Sequence, residues 1–174
     1  LQGIGKVGAK LIEYLVKENA NIYVNDINVD HLKSVIDKYE VKTFKNIELY
    51  SMDLDIFSPC ALGGILNSKS IKKLKCKIIA GAANNQLEND KTHDIELKER
   101  NIVYVPDFLI NSGGIISVYH EQIQDLSKEK VFSVTENIYS KVEDVLNLSS
   151  KNNISTNASA MKIALDRIDR NKKK

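Results

Sequence analysis

The third to eighth residues, Gly3-Ile4-Gly5-Lys6-Val7-Gly8, form a G-x-G-x-x-G motif, and no other feature restricts the fold of this chain as much. Each glycine answers a separate steric demand. Gly3 permits a tight turn out of a strand, Gly5 lets backbone approach a pyrophosphate with no Cβ in the way, and Gly8 allows a helix to pack closely on a sheet. The N-terminus of that helix offers free N–H groups and the positive end of its dipole to an anion. Six-residue glycine patterns also arise in ordinary loops, so the surroundings decide. Here Val7, Leu11, Tyr14 and Leu15 recur at helical spacing over residues 6–18, Ile22-Tyr23-Val24 reads as a strand, and Asp26 stands at its end. Asp26 lies eighteen residues beyond Gly8, close to the roughly 20 expected for a carboxylate on an adenosine ribose. Such a carboxylate accepts from both ribose hydroxyls and repels a 2′-phosphate, which favours NAD over NADP. The plainer alternative is that Asp26 only caps the next helix. Lys6 is expected to face solvent.

Beyond Asp26 the periodicity alternates between helix and strand. Asn28 can cap a helix whose apolar face is Leu32, Val35, Ile36 and Tyr39. Val41–Phe44, Leu54–Phe57, Lys77–Ala80 and Ile102–Val105 read as short strands, with a polar, possible helical stretch after the first. Alternation of this kind implies βαβ units and a mostly parallel, doubly wound sheet of the Rossmann type. After Pro106 the pattern turns helical: Ile115, Ile116, Tyr119 and Ile123 share one face, and Val131, Ile138, Val142, Val145 and Leu146 another. Ser149–Asn153 reads as a loop, followed by a last helix from about Ser155 that directs Ala160, Met161, Ala164, Leu165 and Ile168 to the core. The tail from Arg170 to Lys174 is expected to fray. Residues 1–148 are thus expected to form a dinucleotide-binding domain, with 149–174 its last helix and basic tail. Only Leu1 and Gln2 precede the motif, so the central first strand is truncated and the segment is expected to be destabilised alone. The absent initiator Met agrees with a piece of a longer polypeptide.

Composition excludes several other classes. The 25 Lys and Arg stand against 23 Asp and Glu, and three of the basic residues close the chain, leaving the body near neutral. A nucleic-acid binder needs a concentrated basic face, so no nucleic-acid partner is expected. The longest apolar runs are a few residues, and no signal peptide opens the chain, so neither a membrane nor secretion is expected. Two cysteines, Cys60 and Cys76, cannot build a disulfide framework and suit a reducing, cytoplasmic compartment. His31, His93 and His120 have no metal-ligand partners at suitable spacing; His31 and His93 read as surface residues, and His120 could face a domain interface.

Three later segments narrow the reading: Asp55-Ile56-Phe57-Ser58-Pro59-Cys60-Ala61-Leu62-Gly63-Gly64, Ile79-Ala80-Gly81-Ala82-Ala83-Asn84-Asn85-Gln86-Leu87, and Tyr104-Val105-Pro106-Asp107-Phe108-Leu109-Ile110-Asn111-Ser112-Gly113-Gly114-Ile115-Ile116. The first two resemble the cofactor-side loops of the amino acid dehydrogenases that act on glutamate, leucine, phenylalanine or valine, and the third resembles the segment that follows them in that family. Asn-Asn-Gln-Leu and Leu-Ile-Asn-Ser-Gly-Gly-Ile-Ile are most similar to the leucine-specific members. The likeness is strong to about Ile123 and looser to about Ile168. Each segment follows a strand end, where ligands bind in open α/β sheets. Pro59-Cys60-Ala61 would pass beneath the nicotinamide ribose, with Cys60 a small buried filler. Asn84 has a donor and an acceptor for the nicotinamide end and a nearby substrate, while Asn85 ties down the loop. The alternative is a plain turn function for the pair. The resemblance also places Ile115 and Val118 in the substrate pocket; both are apolar, which suits an aliphatic side chain and would leave a glutamate carboxylate unpaired. Two ordinary core residues are the alternative there.

The resemblance implies oxidation of an amino acid at Cα with hydride transfer to NAD, then hydrolysis to the 2-oxo acid and ammonia. Its acid–base lysine and aspartate belong to an N-terminal catalytic domain that this sequence lacks, so no catalytic residue is assigned here. The full-length enzyme is expected to be a homo-oligomer, and the segment inactive alone. Two other readings are a stand-alone NAD-sensing module, resembling the regulatory nucleotide-binding domains of transporters, and a gene remnant without function.

Overall fold

The computed structural model describes residues 1–45, 48–125 and 127–172. The helices are α1 (Lys6–Lys17), α2 (Val29–Ile36), α3 (Ser68–Ile71), α4 (His93–Glu99), α5 (Asp107–Ile110), α6 (Gly113–Gln122), α7 (Lys128–Asn152) and α8 (Thr156–Lys172), with a 3₁₀ turn at Glu48–Tyr50. The strands are β1 (Tyr23–Val24), β2 (Lys42–Thr43), β3 (Ile56–Phe57), β4 (Ile78–Ile79) and β5 (Val103–Tyr104). Every expected strand is present, each reduced to two residues.

β1 pairs with β2, and β3–β4–β5 form a second ladder, all in parallel. The truncated first strand joins the two. Gln2 bridges Asn25 on one side and Pro59 on the other. Gln2 N donates to Ser58 O (2.9 Å), Cys60 N to Gln2 O (2.7 Å) and Asn25 N to Leu1 O (3.0 Å). The spatial order is therefore β2-β1-(Leu1–Gln2)-β3-β4-β5, the doubly wound order whose reversal lies between the first strand and β3. The central first strand is truncated, as expected: two residues hold its place by hydrogen bonding on both edges.

Two apolar clusters cover this sheet. Ile4, Ile12, Ile22, Val24 and Val35 bring α1 and α2 onto β1. Leu66, Ile71, Leu74 and Leu97 bring α3 and α4 onto Phe57, Ile79 and Tyr104 of β3, β4 and β5. Asn28 caps α2 as expected, accepting the amides of Asp30 and His31.

Several helix faces differ from expectation. In α1 the buried residues are Gly8 and Ile12, whereas Val7 and Tyr14 are exposed. Ile36 of α2 is exposed as well. On α6 Ile115, Tyr119 and Ile123 face solvent and His120 is the buried side chain. α8 buries Asn157, Ser159 and Ala160 while Met161, Ala164, Leu165 and Ile168 are exposed. The loop expected at Ser149–Asn153 is helical to Asn152, and the chain turns only at Asn153 (φ 51°). Helix α8 continues to Lys172, so Arg170 is not frayed; Lys173 and Lys174 lie outside the described residues. His93 is buried, not on the surface, because its Nδ1 accepts the Asn89 amide (3.0 Å) at the start of α4.

Candidate dinucleotide site

Four loops meet at the carboxyl ends of the strands. The first is the glycine loop, and its backbone matches the steric argument position by position. Gly3 adopts φ +98°, and a Cβ there would lie 2.7 Å from the Ala61 nitrogen. A Cβ on Gly8 would stand 2.1 Å from the Gly3 carbonyl oxygen, so only glycine lets α1 approach this closely. A Cβ on Gly5 would meet nothing within 4 Å. Space is therefore open before α1, and a side chain at residue 5 would enter it.

The chemistry of that space suits an anion. No side chain caps α1, and its first turn holds no acid. Helix geometry leaves the Lys6, Val7 and Gly8 amides without intrahelical acceptors. Lys6 and Val7 are exposed beside them. Asp26 stands across the loop with a side chain only 10% exposed. Its Oδ2 accepts the Ile4 amide (2.5 Å) and its Oδ1 the Asn28 amide (2.8 Å), with His31 Nδ1 3.4 Å from Oδ2. Burial pushes against its ionisation most strongly, but the Asn28 and Ile4 amides and the neighbouring imidazole outweigh it and hold the carboxyl below its ordinary range. Oδ1 keeps a further lone pair for a ribose hydroxyl. Asn28, not Asp26, makes the side-chain cap of α2. The residues present thus fit a dinucleotide: amides and open space for its phosphates, and an ionised carboxylate for its sugar.

The second loop follows β3. Ser58 Oγ lies 3.5 Å from Cys60 Sγ. Cys60 is half-buried rather than the enclosed filler expected, and Ala61 is exposed against Gly3. The third loop follows β4 and is fixed to the second: Gly64 N donates to Asn85 O (2.7 Å), and a Cβ on Gly63 would clash with the Asn84 and Asn85 carbonyls. Asn85 takes φ 52°, a left-handed turn that asparagine tolerates.

The end of the third loop and the fourth loop, after β5, carry residues whose roles periodicity did not disclose. Gln86 is fully buried; its Nε2 donates to the Gly81 and Ala83 carbonyls and its backbone N to Asp107 Oδ2 (3.0 Å). Asp107, the first residue of α5, also accepts the Phe108 amide. Burial raises the Tyr104 hydroxyl far above its usual value, and the Asp107 carboxylate adds to this. Asn111 donates through Nδ2 to Asn84 Oδ1 (2.7 Å). Asn84 itself is exposed, and Ile115 and Val118 project from α6 with 67% and 45% exposure. The only signal for Asn111 and Asp107 was their place inside the third quoted segment. A cavity of about 490 Å³ elsewhere, lined by Asp94, Lys98, Tyr104, Leu146, Ser149 and Thr156 among others, includes none of the residues expected to bind the dinucleotide or the substrate. No group of His, Cys, Asp and Glu among the described residues could hold a metal ion, and no helix among them is long and apolar enough to cross a membrane.

Residues 21–174 match the family model described as Glutamate/Leucine/Phenylalanine/Valine dehydrogenase. The chain belongs to that family. It corresponds to the family's C-terminal, NAD-binding domain region, in a family that uses NAD(P). It is 40% identical over 173 residues to the L-tryptophan dehydrogenase of Nostoc punctiforme, covering 99% of this chain and 49% of that protein. It is 39% identical to the leucine dehydrogenase of Bacillus subtilis (98% and 46%) and 42% to the phenylalanine dehydrogenase of Lysinibacillus sphaericus (90% and 42%). The crystal structure of the Nostoc punctiforme enzyme superposes with a TM-score of 0.93 at 41% identity, over 97% of this chain and 51% of that one. A glutamate dehydrogenase from Thermus thermophilus shares the fold at a TM-score of 0.73, covering 98% of this chain and 45% of that one, at 20% identity. The chain spans about half the length of the curated relatives it matches, and relatives named for different amino acids match it about equally.

Proposed function

We propose that this chain is the NAD-binding half of a dehydrogenase that deaminates an L-amino acid with an apolar, leucine-like side chain to its 2-oxo acid and ammonia. The observation that carries the reading is the convergence of the glycine loop, Asp26 and the Asn84–Asn111 pair at the strand carboxyl ends, where the strand order reverses. The amides of Lys6, Val7 and Gly8 bind the pyrophosphate, Gly3, Ile4 and Gly5 shape the loop, and Asp26 holds the ribose. Cys60 and Ala61 pass beneath the nicotinamide ribose. Asn84 addresses the nicotinamide end and the substrate, and Ile115 and Val118 offer apolar surface to the substrate side chain. The dinucleotide supplies the hydride acceptor when bound; the chain's own residues bind and orient.

In this reading residues 1–148 and 149–174 are one domain of a cytoplasmic homo-oligomer, and the acid–base groups stand on the remainder of the polypeptide. Domain closure would then exclude water from the reacting atoms. An aromatic substrate is the second reading, favoured by the 40% and 42% identities to the tryptophan and phenylalanine enzymes. The test is calorimetric titration of the full-length protein with NAD and NADP, followed by NADH formation with leucine, valine, isoleucine, phenylalanine, tryptophan and glutamate. NAD binding with turnover of aliphatic substrates is expected. Preference for tryptophan or phenylalanine selects the second reading, and absence of NAD binding defeats both.

A further inference from the structure

The contact between Asn84 and Asn111 fixes more than the position of a loop. Asn111 closes α5, its own amide donating to the Asp107 carbonyl (2.9 Å), so its side chain leaves from the end of a helix. Its Nδ2 lies 2.7 Å from Asn84 Oδ1 and 3.5 Å from the Ala82 carbonyl oxygen. A peptide carbonyl can only accept. The Ala82 oxygen therefore sets the sense of the Asn111 amide, with its NH₂ toward the β4 loop. A donor in that place in turn requires the Asn84 carbonyl to face it. The order of dictation runs from backbone to Asn111 to Asn84.

The two segments are also held together at a second point. Buried Gln86 gives its backbone N–H to buried Asp107 (3.0 Å), so the β4 loop and α5 are also pinned just after Asn84 and one helical turn before Asn111. Asn84 is thereby oriented by a braced neighbour although it is itself exposed. With its oxygen committed, its Nδ2 group has no acceptor among the described residues.

We infer that Asn111 is a positioning residue that turns the Asn84 carbonyl toward α5, so that Asn84 presents its Nδ2 group to the crevice as a donor for a ligand carbonyl or carboxylate oxygen. The inference rests on the dehydrogenase reading for the nature of the ligand. Two oxygens could take this donor, the carboxamide of the nicotinamide and the carboxylate of the amino acid. Without Asn111 the Asn84 amide can turn, and an oxygen then meets the ligand's oxygen.

The test uses the full-length protein and the variant Asn111→Asp, whose carboxylate cannot donate and attracts the Asn84 NH₂ instead. A high-resolution crystal structure of the ligand-free variant is expected to show the Asn84 amide reversed; an Asn84 that keeps its orientation overturns the proposal. Binding is read without turnover, by calorimetry with NAD and by fluorescence of the NADH complex titrated with leucine, phenylalanine or tryptophan. At least tenfold weaker NAD points to the carboxamide, and at least tenfold weaker amino acid with NAD unchanged points to the carboxylate. Both unchanged within twofold defeats the proposal. Asn84→Asp, which keeps the contact to Asn111 but has no donor to offer, is expected to show the same loss. Asn84→Ala combined with Asn111→Asp is expected to be no worse than Asn84→Ala alone; additive losses overturn the assigned coupling. Failure of the wild-type protein to bind NAD would instead refute the dehydrogenase reading, while the crystallographic arm still decides the orientation.

Discussion

Asp26 and Ile4 are joined across the glycine loop, the Asp26 Oδ2 accepting the Ile4 amide at 2.5 Å while Oδ1 takes the Asn28 amide at 2.8 Å. One carboxylate thus braces the phosphate loop to the end of β1 and faces the expected ribose. In Asp26→Asn the side-chain NH₂ must oppose one of those two backbone N–H groups, donor against donor. Loss of a charged hydrogen-bond partner is worth about 1.5–3 kcal/mol, so NAD affinity is expected to fall roughly 10- to 100-fold. Discrimination against NADP is expected to relax, and the melting temperature to drop. Calorimetry giving equal NAD affinity for both proteins would count against the ribose contact.

The same carboxyl gives a pH dependence of definite sign. Its pKa in the fold lies below the ordinary value, which for an unfolded aspartate is about 3.9. A depressed carboxyl contributes stability that is complete above the unfolded pKa and is lost as pH falls through the folded one. The stability difference between wild type and Asp26→Asn is therefore expected to hold steady from pH 7 to about 4 and to shrink below. Denaturant titrations across that range measure it; a difference that already closes between pH 6 and 5 would count against Asp26 as its source.

How much of this could be read beforehand varies by element. The strands were legible because short β-branched runs such as Ile78-Ile79 and Ile102-Val103 end at Gly or Pro. Asp26 was legible because a strand, a helix and a glycine loop fix its distance from the motif. Helix faces were less so. Periodicity identifies an apolar stripe but not what lies against it, and α6 and α8 leave Ile115, Tyr119, Leu165 and Ile168 exposed. In α8 the buried positions are small or polar because Ser155 and Thr156 tie its start to Asp94 and to the Tyr104 carbonyl. Buried Asp107, His93 and Gln86 were not legible, since each is accommodated by backbone groups brought close only by the turns around it.

Lys6 occupies the first position of α1, where the helix dipole disfavours a cation by about 0.3–1 kcal/mol. It stands beside amides assigned to a pyrophosphate. Lys6→Gln is accordingly expected to leave the ligand-free protein equally or slightly more stable, while weakening NAD severalfold and flattening the salt dependence of binding. Thermal melts without ligand and calorimetry at two salt concentrations separate the two effects. An unchanged salt dependence would remove Lys6 from the ligand's field.

Val118 and Ile115 project from α6 beyond the Asn84–Asn111 contact in sequence and remain open to solvent. If they line the substrate pocket, enlarging Val118 to Phe fills it from one side. Turnover of leucine in the full-length enzyme is expected to fall at least tenfold relative to a smaller amino acid such as alanine, with NAD affinity preserved. Because the position is exposed, little change in melting temperature is expected. Unaltered substrate ratios would place the side-chain pocket elsewhere.

Gly5 and Gly8 separate binding from folding. Gly5 has φ −69° and ψ −168°, which alanine adopts without strain, and its Cβ would meet no atom within 4 Å. Replacing glycine by alanine at such a position stabilises by about 0.4–1 kcal/mol through the unfolded chain. Gly5→Ala is thus expected to melt at the same or a higher temperature, yet to bind NAD at least tenfold more weakly, because the methyl enters the space assigned to the phosphates. Gly8→Ala must do the opposite damage first: its Cβ would stand 2.1 Å from the Gly3 carbonyl oxygen, so α1 has to move off the sheet. Overpacking of this kind costs about 1–3 kcal/mol, and a marked fall in melting temperature is expected. If Gly5→Ala kept wild-type affinity for NAD, the diphosphate would lie away from the N-terminus of α1, and the open space before that helix would need another occupant.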